Sequence, residues 1–133
     1  MPVTINGTTG VTTPGISVDG VSASVSGGFS SSIDSDGTFS GGAVYTPTLT
    51  PSNWKYVING GNFSIAAPAA VDAGQAYSMI IYVLNSPTAG TLSLSGFNRV
   101  VGDSFTTTNG HVFFLFITVF GTGAKVVSVV AAQ

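Results

Sequence analysis

The sequence has no cysteine, no glutamate and a single histidine, and only three basic and five acidic residues in a chain of 133. Without cysteine there are no disulfides, no thiolate metal sites and no thiol nucleophile. The basic residues, Lys55, Arg99 and Lys125, are too few and too scattered to bind nucleic acid, whose phosphates demand clustered cations. They also offer no basic face to an anionic membrane. The acids are Asp19, Asp34, Asp36, Asp72 and Asp103, giving a net charge of −2. No apolar run approaches the ~18 residues needed to cross a bilayer. Residues 1–10 show neither the basic region nor the apolar segment of a secretory signal. Membrane insertion is therefore not expected. Charged residues make up 6 % of the chain, against roughly 25 % in an ordinary soluble domain, and mean hydropathy is +0.49. A soluble chain of this kind is expected to bury much of its surface against other copies or partners.

No helical period appears anywhere. What is present is β patterning at two densities. Residues 1–53 are rich in Gly, Ser and Thr, with short alternating pieces at 3–5, 16–18 and 21–25 separated by turn formers such as Asn6-Gly7, Pro14-Gly15 and Asp36-Gly37. This composition fits a disordered linker; the regular apolar beats favour an extended arm ordered by contact with a partner. Pro47 and Pro51 hold the backbone extended, and a shift in composition after them places a boundary near residue 53.

Residues 54–133 are expected to form an antiparallel β module. Strands are predicted at 54–58 and 63–66, forming a hairpin about Asn59-Gly60-Gly61-Asn62, then at 77–84, at 91–95 with continuation through 97–101, at 105–108, at 111–120 and at 125–131. Asn109-Gly110 is the strongest hairpin signal, predicting that 105–108 pairs with 111–120. So many short strands suggest an all-β sandwich or a jelly-roll-like knob.

Three of these strands, 79–84, 112–120 and 126–131, are apolar on both faces. A two-layer module covers one face only, so Phe113, Phe114, Leu115, Phe116, Ile117, Ile80, Tyr82, Val127 and Val129 are expected to divide between the core and an interface between subunits, with a trimer favoured.

No constellation for chemistry emerges, and the chain is not expected to be an enzyme or to need a cofactor or metal. His111 opens a strand with no G-x-S-x-G elbow elsewhere to partner it. Asp34-Ser35-Asp36-Gly37 begins like a calcium loop, but the pattern ends on a glutamate that this chain lacks; these aspartates read as turn residues. Arg99 and Asp103 are close enough in sequence for a surface pair, worth only ~0–1 kcal/mol. Gly121–Lys125 lacks the glycine spacing of a phosphate loop. Tyr45, Trp54, Tyr56, Tyr77 and Tyr82 are able to stack on sugar rings, though packing is the more ordinary explanation, with Trp54 closing the edge of the core.

Four segments carry a resemblance: INGGNFSIAAP (58–68), AGTLSLSGF (89–97), GDSFTTTNGHVFFLFIT (102–118) and the terminal VVSVVAAQ. Together they resemble a C-terminal β module of tailed-bacteriophage virion proteins, and VTINGTTGVTTPG (3–15) is similar to segments in phage head- and tail-fibre proteins. The resemblance implies a virion structural protein on the surface of the particle and carries over no catalytic residue. The chain has no room for a long shaft, so a small head-decoration protein or short head fibre is the expected form. In that form an arm carrying Val3, Ile5, Val11, Ile16 and Val18 would bind the major capsid protein or other virion components. The alternative is a tail-fibre or receptor-binding tip that reads host surface glycans.

Overall fold

The computed structural model describes residues 32–132. Val3, Ile5, Val11, Ile16 and Val18 lie outside the described residues. Among the described residues nine strands run in order: β1 (Asp34–Phe39), β2 (Ala43–Tyr45), β3 (Trp54–Asn59), β4 (Phe63–Ala66), β5 (Ala76–Asn85), β6 (Leu92–Ser95), β7 (Arg99–Gly102), β8 (Val112–Phe120) and β9 (Lys125–Ala132). The described residues contain no helix and are all-β, as their alternating apolar pattern requires. The strands form a large sheet, ordered β1-β3-β5-β8-β9-β7, and a small one, ordered β2-β4-β6.

The pairing departs from the expected antiparallel meander. Five of the seven ladders are parallel, and only β5–β8 and β8–β9 are antiparallel. The first six strands form three stacked units. In each, a strand of the large sheet turns a corner into a strand of the small sheet, and after the first and second the chain returns to lay the next unit alongside. Glycine makes the first of these corners tight. Gly41 and Gly42 both hold positive φ, where a side chain would strain the backbone. Successive corners then bond to one another: the Gly42 N–H donates to the Asn62 carbonyl at 2.7 Å, and the Phe63 N–H to the Thr91 carbonyl at 3.1 Å.

Several expectations are corrected by this arrangement. β3 and β4 are not a hairpin, because the Asn59–Asn62 turn carries the chain from one sheet to the other. Segment 105–108 is not a strand and does not pair with β8, whose two edges are occupied by β5 and β9. A turn does form there, with the His111 N–H donating to the Thr108 carbonyl at 3.2 Å. Residues 97–101 do not continue β6: the chain crosses to the far edge of the large sheet, where β7 pairs with β9. Asp34–Gly37 is not a turn but most of β1, with a bulge between Ser35 and Gly37. The boundary expected near residue 53 falls between strands of shared sheets, since β1 pairs with β3 and β2 with β4.

The core lies between the sheets. The large sheet contributes Val57, Met79, Ile81, Val83, Phe113, Leu115, Ile117, Val119, Val127 and Val129, and the small sheet Tyr45, Phe63, Ile65 and Leu92. Phe105, from the segment before β8, stacks edge to face on Phe113 at 5.1 Å and extends the second layer beneath β8.

Asn59 and Asn85 occupy the same register position at the ends of β3 and β5, and both are fully buried. Asn59 Nδ2 donates to Asn85 Oδ1 at 3.0 Å and to the Gly90 carbonyl at 2.9 Å, while its Oδ1 accepts from the N–H groups of Gly61 and Gly90. Asn85 Nδ2 in turn donates to the carbonyls of Thr106 and Thr108. Two amides thus satisfy the polar backbone of three turns at one end of the core, where unpaired groups would be costly.

Candidate functional site: the outer face of the large sheet

Side chains alternate across a strand, so the ladder registers fix what the large sheet shows on each side. On the side away from the small sheet, Tyr56, Tyr82, Phe114 and Val130 form one row across β3, β5, β8 and β9. Trp54, Ile80, Phe116 and Ser128 form the next, and Ile58, Leu84 and Val112 a third. Tyr56 lies 5.4 Å from Tyr82, and Tyr82 meets Phe114 edge to face at 5.3 Å. Phe116 is 45 % and Trp54 39 % exposed. With strands ~4.8 Å apart and a rise of ~3.3 Å per residue, these rows cover on the order of 400 Å². A patch of that size is comparable to the largest on an ordinary monomer, and such a patch is often functional.

The nine positions expected to divide between core and interface are separated cleanly. Phe113, Leu115, Ile117, Val127 and Val129 are buried between the sheets. Phe114, Phe116, Ile80 and Tyr82 lie on the outer face, partly or fully open to solvent. Strand 79–84, strand 112–120 and strand 126–131, each apolar on both sides, are β5, β8 and β9, three neighbours at the middle of the large sheet.

β3 carries the feature that sequence reasoning did not supply. Its apolar alternates, Trp54, Tyr56 and Ile58, face outward, while Lys55, Val57 and Asn59 face the core. Read alone, WKYVIN would turn its aromatic side inward. The buried polar residues are accommodated because each has a partner: Asn59 has the turns, and Lys55 pairs with Asp34. Next to Trp54 the outer face dips into a groove of about 280 Å³ lined by Ile33, Trp54, Tyr56, Tyr82 and Phe114.

The remaining chemical candidates are structural. His111 Nδ1 lies 3.0 Å from the Thr106 hydroxyl. Asp103 accepts the Ala131 N–H at 2.8 Å and does not pair with Arg99; among the described residues the ion pair is Lys55–Asp34. Tyr77 donates its hydroxyl to the Ala69 carbonyl, and burial raises its pKa above the ordinary tyrosine value. Among the described residues no group of three metal-ligating side chains is assembled.

Comparison with protein-family models, with curated proteins and with solved structures finds no match to the chain.

Proposed function

We propose that this chain is a structural protein of a tailed-bacteriophage particle: a trimeric head-decoration or short head-fibre protein with a sandwich-like knob. Its knobs would associate through the outer face of the large sheet, and residues 1–31 would bind the virion. The observation that carries the self-association is the orientation of β3, which buries a lysine and an asparagine and turns Trp54, Tyr56 and Ile58 outward. Together with Ile80, Tyr82, Phe114 and Phe116 this makes an aromatic surface whose removal from water is favourable at ~25 cal/mol per Å². Closed association around an axis would cover such a surface on every copy. The virion assignment rests on the segment resemblances at 3–15, 58–68, 89–97 and 102–118.

Two measurements test this reading. Native mass spectrometry of the full chain at micromolar concentration should give a closed oligomer, with the trimer as the principal species; a monomer would overturn it. Purified particles of the source phage should contain the chain, with density on the head lattice. Its absence from the particle would overturn the virion assignment.

A second reading draws on the groove beside Trp54. An exposed indole flanked by Tyr56 and Tyr82 is a surface on which a sugar ring stacks, as a host-glycan-reading tip requires. Glycan-array binding that disappears in Trp54→Ala would favour this reading over decoration.

A further inference from the structure

Lys55 is 2 % exposed. Its Nζ donates to Asp34 Oδ2 at 2.5 Å and to the Thr50 carbonyl at 3.2 Å. Asp34 stands opposite it on β1, and the apolar Ile81 opposite it on β5. Two residues along β1, Asp36 accepts a hydrogen bond from the Tyr45 hydroxyl. Tyr45 is itself in the core, and burial, this hydrogen bond and the charges of Asp36 and Asp34 all hold its hydroxyl protonated well beyond the ordinary tyrosine range. One edge of the module therefore gathers a buried amine, the carboxylate it touches, and a second carboxylate held by a tyrosine. The bulge between Ser35 and Gly37 leaves Asp36 out of the β1–β3 ladder.

We propose that Lys55 and Asp34 condense into an intramolecular isopeptide bond that joins β1 to β3 covalently. In the first step a proton passes across their contact from Nζ to the Asp34 carboxylate, giving a neutral amine and a carboxylic acid. The nitrogen lone pair then attacks Cγ of Asp34. An Nζ–Oδ2 contact of 2.5 Å leaves nitrogen and Cγ about 3–3.5 Å apart, the separation of a near-attack conformer. A C–N bond forms, the C–OH bond of Asp34 breaks, and the hydroxyl leaves as water with a proton from the nitrogen. Asp36 carries that proton, with the Tyr45 hydroxyl as its positioning donor. The balance is one ammonium and one carboxylate to one amide and one water, with no oxidant, reductant or co-reactant. Bulk water opposes such a condensation. Here paired strands hold the two groups at an effective molarity on the order of 10⁵–10⁸ M, and the amine is shielded from solvent.

Trypsin supplies a direct test, because its only cleavage sites are Lys55, Arg99 and Lys125. Intact mass spectrometry of the purified full chain should show a deficit of about 18 Da, one water. Succinimide closure at Asp19-Gly20 or Asp36-Gly37 gives the same deficit, so the digest decides. After denaturation, the condensed chain should resist cleavage at residue 55 and yield residues 1–99 as a single fragment short by one water. Lys55→Arg keeps the charge but cannot form this amide, and should restore both full mass and cleavage at 55. A parent chain that is cut after Lys55 with full mass overturns the bond, whether or not the variant folds. Asp36→Asn should slow the appearance of the deficit in freshly made protein; an unchanged rate overturns the role given to Asp36.

Discussion

Phe113 and Phe114 are consecutive in β8 and serve opposite sides of the sheet: Phe113 meets Phe105 edge to face at 5.1 Å inside the core, and Phe114 meets Tyr82 edge to face at 5.3 Å on the outer face. The two substitutions should therefore separate folding from assembly. Phe113→Ala is expected to cost about 3–5 kcal/mol, read as a lowered urea midpoint with an unchanged slope. Phe114→Lys should shift the stability of the isolated chain by less than about 1 kcal/mol yet abolish self-association in light scattering at micromolar concentration. If Phe114→Lys remains fully associated, the outer face is not the interface.

Asn59 makes four hydrogen bonds while fully buried. Asn59→Ala strands the Gly61 and Gly90 N–H groups and the Asn85 amide oxygen, and each buried unsatisfied group costs ~1–3 kcal/mol. Asn59→Asp should be worse, since a carboxylate would face the Asn85 amide oxygen and the Gly90 carbonyl. Hydrogen exchange should show the loss first at Gly61 and Gly90. Uniform loss of protection across the module would contradict the local role.

Tyr45 links stability to alkaline pH. Its pKa is raised in the folded chain by burial first, then by Asp36 and Asp34. A raised pKa contributes stability that is fully present below the unfolded value of about 10 and is lost as pH climbs from there toward the folded value. Chemical denaturation between pH 8 and 11 should show stability falling above about pH 10. Tyr45→Phe should flatten that fall, leaving the smaller part due to Tyr77, whose pKa is raised in the same direction. An unchanged slope in the variant would rule Tyr45 out as its source.

Gly102 ends β7 at φ 104°, and a Cβ there would stand 2.0 Å from the Val129 carbonyl oxygen. Gly102→Ala must strain the backbone, at ~1–3 kcal/mol, and push β7 away from β9. A fall in Tm of several degrees with retained strand content is the expected outcome. A variant as stable as the parent would mean that the close approach is dispensable.

The strands themselves were legible because alternation of apolar and polar residues is a local property. Leu92 and Leu94 against Ser93 and Ser95 read directly as β6, and the run from Val112 to Phe120 as β8. Partner choice was not legible. Asn109-Gly110 signals a hairpin, but β8 spends both edges on β5 and β9, and nothing in 105–111 reports that competition. β1 was hidden because Asp34-Ser35-Asp36-Gly37 carries turn residues, and its place in the sheet depends on Lys55 and Tyr45, which lie 21 and 9 residues away. The outer face was half legible: runs apolar on both sides announced that something must cover them, and one face of each had to be core. Which face that was depended on the small sheet, and β3 shows the limit, since its more polar side is the one that faces the core.

The three stacked units carry a consequence for how the module can change in length. Asp34 and Lys55 share a register position although 21 residues separate them, and Phe63 and Leu92 do so across a longer interval. The interval is elastic because the returns between units absorb the difference, while the corners and the register stay constant. A whole unit inserted or deleted ahead of β3 would lengthen or shorten both sheets by one strand spacing and leave β3, β5, β8, β9 and their aromatic face untouched. Within this fold, the size of the stack and the identity of the outer surface are free to vary independently.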